Sequence, residues 1–440
     1  MKHAFLLYTG YGKTKLCLDT IMKASRKPRT LLISTKNIIE SAWSAEIEKW
    51  YPKQIIYEHI TGNLTSDQRL KVLEKPCDIL GMNTAMLDWY IIHTTKVARK
   101  SYTKSGIKEH HDVKELINRF DLLIIDEVSL FKNSQSLRFK LLQKWAHLVP
   151  NVIILSATPT PKDIEDIWGP IFLLDGGQRL GKTITEFREN YAIPIPLGNG
   201  YNRYQYSVAA TDKILSLIKD ISTSIPAPSK SLFPEPIIKK LVIQADANTE
   251  ELLKRFRQDF IIKLSDGKEL VALSKMQLIN KVNQIANGSI YHETLTYTIN
   301  DLKFRALQMK LINITTPVLI FYTFIFDKDK LLTLPGARLL NSKEDFEDWN
   351  HNKIKIGILS PFSASHGLNL QDSDCENLFW FSPIWDTEKW IQTNARVCRR
   401  GQKKQVNIHV LLLKGSYDEY AFELCQEKFK TQYNILQKLR

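Results

Sequence analysis

Short apolar runs alternate with stretches of helical periodicity through the first part of the chain. Phe5-Leu6-Leu7, Leu31 to Ser34, Asp78 to Met82, Leu122 to Asp126 and Val152 to Ser156 are apolar nearly throughout. Such runs predict strands buried on both faces, and the stretches between them predict crossover helices. From Tyr201 to Asn300 the periodicity is helical, with a Ser/Pro-rich break from Ser222 to Pro236 that predicts an extended connector. Strand-like runs return at Val318 to Phe324, Ile354 to Leu359, Leu378 to Phe381 and Val406 to Leu413, before a helical tail from Tyr417 to Arg440. The pattern predicts an α/β protein of two parallel-sheet lobes with a helical insertion between them: a first lobe over 1–200, the insertion over 201–300 and a second lobe over 301–440.

Parallel sheets place their ligands at the carboxyl ends of strands, and candidate chemistry falls at two such ends. The first run feeds Thr9-Gly10-Tyr11-Gly12-Lys13-Thr14. Gly10 and Gly12 let successive backbone N–H groups converge on phosphate oxygens, Lys13 reaches the β- and γ-phosphates of a nucleotide, and the Thr14 hydroxyl ligates Mg²⁺. The strict phosphate-loop pattern wants a further glycine where this chain has Leu7, and a plain turn is the competing reading. The fourth run ends in Asp126-Glu127. Two carboxylates closing an apolar strand fit a nucleoside triphosphatase, where Asp126 holds the Mg²⁺ shell and Glu127 orients and deprotonates the attacking water. A helix N-cap is the alternative.

In the second lobe, Arg396 and Arg399 stand three apart within Gln392 to Gln402, on one face if that segment is helical. Such arginines stabilise charge on a transferred phosphoryl group, a contribution of about 10³ to 10⁵ in rate. A solvated basic face or a DNA-backbone contact is the competing reading.

Composition narrows the partners. The chain has 440 residues, 43% hydrophobic and 25% charged, with 61 Lys+Arg against 47 Asp+Glu and a formal charge of +14. That balance favours a polyanion such as nucleic acid, although an anionic membrane surface would also attract it. No apolar run approaches the roughly 18 residues that span a bilayer. The five cysteines, Cys17, Cys77, Cys375, Cys398 and Cys425, are scattered without zinc spacing and predict a reducing, intracellular setting. The basic stretch Lys96 to Arg119 fits either a phosphate grip or a solvated face, and its His110-His111 reads as an exposed pair. Lys254, Arg255 and Arg257 beside Phe256 fit DNA contact or a polar helix face. The tryptophans Trp43, Trp50, Trp89, Trp145 and Trp168 read as core or surface anchors rather than base-stacking platforms.

Taken in order, these motifs resemble the Swi/Snf-like branch of the superfamily-two helicases, and most closely the compact helicase-like proteins of bacteriophages. The resemblance spans nearly the whole chain. It is carried by Thr9 to Thr14, Leu31 to Thr35 with Trp43 and Glu46 to Trp50, Asp126 to Ser129 with Phe131-Lys132-Asn133, Leu155-Ser156-Ala157-Thr158-Pro159, Ile167-Trp168, and Leu173 to Gly177. In the second lobe it is carried by Ser365 to Gln371, Trp385 and Gln392 to Gln402.

The resemblance implies two RecA-like lobes that bind ATP in their cleft and move along a nucleic-acid duplex in steps tied to hydrolysis. Lys13, Thr14, Asp126 and Glu127 would keep the roles above, with ATP and Mg²⁺ as cofactors and Mg²⁺ held through Thr14 and Asp126. Arg399 would be the arginine finger with Arg396 beside it, Gln392 and Gly367 would complete the nucleotide site, and Ser156 and Thr158 would link nucleotide state to the DNA-contacting face. The chain departs from the pattern in two places. Few residues precede the phosphate loop, where relatives carry an adenine-recognising segment; adenine is then held by other residues, nucleotide selectivity is relaxed, or the start was placed late. Ser129 stands where many relatives have histidine. The expected activity is a DNA-dependent ATPase acting on double-stranded DNA, in the host cytoplasm if the source is a bacteriophage. The alternatives are a strand-separating DNA or RNA helicase, for which the sequence shows no obvious wedge or hairpin, and an ATP-switched scaffold with little turnover.

Overall fold

The apolar runs form parallel strands in two separate sheets. The computed structural model describes residues 1–60, 64–88, 90, 111–198, 200–225, 234–364, 370–399 and 401–439. The chain divides into two units, one of Met1–Ala227 with Lys430–Arg440, the other of Pro228–Phe429.

In the first unit the strands are β1 (Lys2–Leu7), β2 (Thr30–Ser34), β3 (Tyr57–Ile60), β4 (Ile79–Asn83), β5 (Leu122–Asp126), β6 (Asn151–Ser156), β7 (Ala192–Gly198), β8 (Tyr201–Tyr206) and β9 (Ser222–Ile225). Seven of them make a wholly parallel sheet ordered β3-β4-β2-β5-β6-β1-β9. Both faces are covered, which is why these strands read as unbroken apolar runs. Leu31, Ile33, Leu123, Ile125, Val152 and Ile154 pack into one core, while Leu32, Leu122, Ile124, Ile153 and Leu155 alternate into the other. The first core also takes in Ile435, Leu436 and Leu439, from the end of the helix Asp418–Lys438. β7 and β8 stand apart as an antiparallel ribbon.

The second unit holds β10 (Ile237–Ile243), β11 (Ile261–Lys263), β12 (Glu269–Val271), β13 (Ser289–His292), β14 (Leu295–Thr298), β15 (Val318–Phe321), β16 (Ala337–Leu339), β17 (Ile356–Leu359), β18 (Asn377–Trp380) and β19 (Asn407–Leu413). Six form a second parallel sheet, ordered β10-β19-β18-β15-β17-β16. Two parallel sheets with crossover helices are the two-lobe, RecA-like architecture.

The stretch from 201 to 300, expected to be helical, is mixed. Its helices Val208–Ile218, Ala247–Asp259 and Lys275–Ala286 alternate with β8, β9, β10 and the hairpins β11–β12 and β13–β14. The last two helices and both hairpins share a small core around Leu253, Phe256, Val282 and Ile290. The Ser/Pro-rich break opens as β9, the edge strand beside β1, and residues 226–233 of it lie outside the described residues. Trp43, Trp145 and Trp168 are buried anchors, and Trp50 is exposed. Phe256 is buried and Arg255 pairs with Glu251 on its own helix, so that cluster is a helix face. The basic stretch is described only from His111, where Arg119 pairs with Glu115; Trp89 and His110 lie outside the described residues. All five cysteines are free and buried.

One charged pair is locked inside the second unit. Lys303 Nζ lies 2.7 Å from Asp418, both side chains no more than 2% exposed, and Nζ also donates to Asn287 Oδ1 at 2.9 Å. Asn287 in turn donates to Asp327 at 2.8 Å, a carboxyl that burial pushes up to about 6. Removing one partner leaves an uncompensated buried charge, which costs about 3 to 5 kcal/mol. Lys303→Met should therefore lower the urea midpoint of the transition that reports this unit, and the pair Lys303→Met/Asp418→Leu should recover much of the loss.

Candidate functional site

β1 ends at Leu7, and the chain turns through Gly10 and Gly12 into the helix Lys13–Lys23. Both glycines have left-handed φ, 84° and 72°, a conformation that a side chain adopts only with strain. Gly12 caps the helix, its carbonyl accepting from Leu16 N–H at 2.9 Å. The first turn carries no acidic residue, so the positive end of the helix dipole is reinforced by Lys13, while Lys15 pairs with Asp19 on the same helix. Lys13 Nζ donates to the Leu7 carbonyl at 3.2 Å and so lies back over the strand end. Thr14 follows, half-buried. The start of the turn is held from the other side, where Tyr8 N–H donates to Ile225 of β9 at 3.0 Å.

The parallel register then assembles the edge. Leu6 pairs with Ser156 and Asp126 with Leu155, and β1, β6 and β5 are adjacent. The glycine turn, Ser156 and Asp126 with Glu127 therefore end side by side. Asp126 is 6% exposed, and its Oδ2 accepts from Trp43 Nε1 at 2.9 Å. Burial pushes its carboxyl above the usual range, while the Trp43 hydrogen bond and the Lys13 charge pull it back. Lys13 and Asp126 also act electrostatically on the Cys17 thiol, one turn into the helix. Glu127 has φ 62° and ψ 55°, a left-handed conformation in a non-glycine residue. It breaks the strand abruptly into the short turn Val128–Phe131, and backbone strain of this kind collects at functional positions.

Around this edge the hydroxyls of Thr9, Ser34, Thr35 and Thr158 are buried without a hydrogen-bond partner. They follow β1, close β2, or follow β6. A buried hydroxyl left unpaired is costly, and several along one strand edge suit a polar ligand. Ser156 Oγ accepts from Thr158 N–H at 3.0 Å and sets that turn. Two residues here escape motif reading. Trp43 is visible only as an apolar anchor until its indole meets Asp126. Gln432 donates to the Ala157 carbonyl at 3.2 Å from 275 positions away in sequence.

In the second unit, Gln392 is buried on the helix Thr387–Asn394 and donates to Glu388 at 3.3 Å. Arg396 and Arg399 do not share a helical face. The helix ends at Asn394, whose Oδ1 accepts from Trp380 Nε1 at 3.0 Å, and the Arg396 carbonyl is diverted to Leu370 N–H at 3.1 Å. Both arginines lie half-buried in the turns that follow. Gly367 lies outside the described residues.

The SNF2-related domain family matches residues 8–304, more than half of the chain, and the protein belongs to that family. It is similar to protein p41 of Acyrthosiphon pisum secondary endosymbiont phage 1, at 26% identity over 98% of this chain and 93% of that one. It is also similar to the DNA repair protein rhp54 of Schizosaccharomyces pombe, at 25% identity over 94% of this chain and 53% of rhp54. A third relative is the DNA repair and recombination protein RAD26 of Saccharomyces cerevisiae, at 22% identity over 89% of this chain and 41% of RAD26. The chain thus spans about half or less of the two yeast relatives. Among solved structures, the SWI2/SNF2 ATPase core of Sulfolobus solfataricus in complex with dsDNA aligns over 99% of this chain and 88% of that one, at 17% identity and a TM-score of 0.40. Among the described residues no helix is long and apolar enough to cross a membrane.

The Trp43 bond gives the site a pH signature. The indole N–H stabilises the ionised carboxylate, so Trp43→Phe should raise the Asp126 pKa further and leave less carboxylate at acidic pH. The acidic limb of the pH–rate profile for nucleotide hydrolysis should move to higher pH, with the rate recovered on the alkaline side.

Proposed function

We propose that this protein is a DNA-dependent ATPase of the Swi/Snf-like class, which couples hydrolysis to movement along, or remodelling of, double-stranded DNA. The observation that carries the reading is the convergence on one sheet edge of a left-handed glycine turn, Lys13 and the buried Asp126 followed by Glu127, in a chain of this family.

The backbone N–H groups from Gly10 to Thr14 bind the terminal phosphates, and Lys13 moves from the Leu7 carbonyl to meet their charge. Thr14 Oγ and the Asp126 carboxylate are the groups that would hold Mg²⁺. One carboxylate and one hydroxyl leave the rest of such an ion's shell to phosphate and water. When bound, that ion supplies neutralisation of phosphate charge. Glu127 takes the proton of the attacking water at its carboxylate, placed off the strand line by its left-handed backbone. Arg399, with Arg396 beside it, is assigned to the charge developing on the phosphoryl group, and Gln392 and Gly367 to nucleotide binding from the second unit. Ser156 closes β6 and Thr158 follows it, beside the phosphate turn, where a change at the nucleotide passes to the DNA-contacting face. The polyanionic partner is supported by the charge of +14, and the choice of duplex DNA by the family.

Lys13→Ala and Glu127→Gln should each lower hydrolysis by about 10²-fold or more while circular dichroism and thermal melting stay near wild type. Wild-type hydrolysis should rise with double-stranded DNA above single-stranded DNA or RNA. Preference for single strands or RNA would point to an unwinding helicase. Turnover that is negligible, or unaffected by Glu127→Gln, would point to a nucleotide-switched scaffold.

A further inference from the structure

The β7–β8 ribbon belongs to neither large sheet, and two-stranded ribbons left alone in water are marginal. This one has a locked stem. The Arg188 guanidinium stacks 4.4 Å from the Tyr204 ring and pairs with Glu165, while the Tyr206 hydroxyl donates to the same carboxylate at 2.6 Å. Phe187 packs against Tyr206 with ring centroids 5.9 Å apart. The blade beyond that stem is bare. Ile193, Leu197 and Tyr201 are 60%, 67% and 73% exposed, and the pairing of Ile195 with Arg203 places a cation on the same face.

An apolar blade held out into water suits an occupant, and its charge narrows which. From Ala192 to Tyr206 there is no acidic residue and one arginine, on a chain of net charge +14, which suits a polyanion. The blade's polar groups are too few to read base edges, but aliphatic and aromatic tips suit insertion between stacked bases, a mode in which apolar wedges open a step and bend the duplex. The tip provides such a wedge, with Leu197 and Tyr201 flanking the turn at Gly198 and Gly200 and a strand irregularity between Pro196 and Gly198.

We infer that the β7–β8 ribbon is a duplex-DNA contact that inserts Leu197 and Tyr201 into the base stack, with Arg203 engaging the flanking phosphate. The inference rests on the proposed action on DNA. It adds a local opening of the base stack that hydrolysis alone does not require.

The test uses the full chain with duplex DNA carrying 2-aminopurine at several internal positions, at saturating DNA. Binding of the wild type should raise 2-aminopurine fluorescence. Leu197→Ser/Tyr201→Ser, both at the exposed tip, should abolish that rise while leaving the melting temperature and the rate of hydrolysis without DNA unchanged. A wild type stimulated by duplex without any fluorescence rise overturns the wedge and leaves the ATPase reading standing. A rise retained by the double variant also overturns it. A change in sedimentation between wild type and variant, with the DNA signal unaltered, would assign the ribbon to a protein contact instead. If duplex fails to stimulate the wild type at all, the functional reading fails first and the wedge with it.

Discussion

The ladder of backbone hydrogen bonds joining β5, β6 and β1 is the constraint on which the site depends. Side-chain direction alternates along a strand, so a slip of one residue in any of these pairings would turn Asp126 or Ser156 from one face to the other and mix the two cores. Apolar side chains on both faces forbid the slip. The same residues that bury the sheet, Leu123 with Ile125 on one side and Leu122 with Ile124 on the other, thereby fix where the carboxylates emerge. β9 closes the ladder beyond β1, covering an edge that would otherwise be open and holding Tyr8 at the entry to the glycine turn. Chemistry at this edge is a by-product of core packing.

That arrangement also explains how a carboxylate is kept usable in a dry place. Burial alone would favour a neutral, protonated Asp126. One indole donor and one lysine charge oppose that tendency, and both belong to elements the sheet positions, the segment after β2 and the helix after β1. The unpaired hydroxyls along the same edge are the complementary feature: the fold accepts their cost locally because a polar ligand would satisfy them. Together they make an electropositive, partly unsatisfied rim beside a single buried anion, the polarity that phosphate with a divalent ion would complement.

How much of this could be read in the sequence follows from the range of each interaction. The nine apolar strands and the motifs at their ends were legible because burial on both faces writes itself as a continuous run, and because Gly-Lys-Thr and Asp-Glu are local patterns. β3, β16 and β10 were not. Tyr57–Ile60 and Ala337–Leu339 are short edge strands with polar members, and Ile237–Ile243 has an exposed face. β9 was hidden by serines that suggest a linker, yet Ser222 and Ser224 are buried there, and Ser224 Oγ donates to the Leu436 carbonyl at 2.8 Å. The ribbon was hidden by Pro194 and Pro196, which usually argue against a strand and are tolerated because neither strand has a further neighbour. For Arg396 and Arg399, spacing allowed a shared helical face, but Asn394 and Leu370 end the helix first by hydrogen bonds that no local pattern announces.

The contribution of residues 430–439 is the furthest from sequence reasoning, and it changes what counts as a domain here. Ile435, Leu436 and Leu439 fill the first unit's core, Ser224 of β9 bonds Leu436, Lys438 pairs with Asp212, and Gln432 holds the carbonyl of Ala157 between Ser156 and Thr158. The edge strand beside the glycine turn and the turn after β6 are thus both braced by residues 430–439. The first unit reaches its full core only after the whole of the second has been traversed, so its completion carries the loop-closure entropy of some two hundred residues. The helix that delivers this segment, Asp418–Lys438, begins at the carboxylate that neutralises Lys303 inside the second unit. One continuous helix therefore carries, at its start, the buried ion pair of one unit and, at its end, the bracing of the other unit's candidate site. A chain built this way ties the candidate edge of the first unit to residues that come after the whole of the second in sequence.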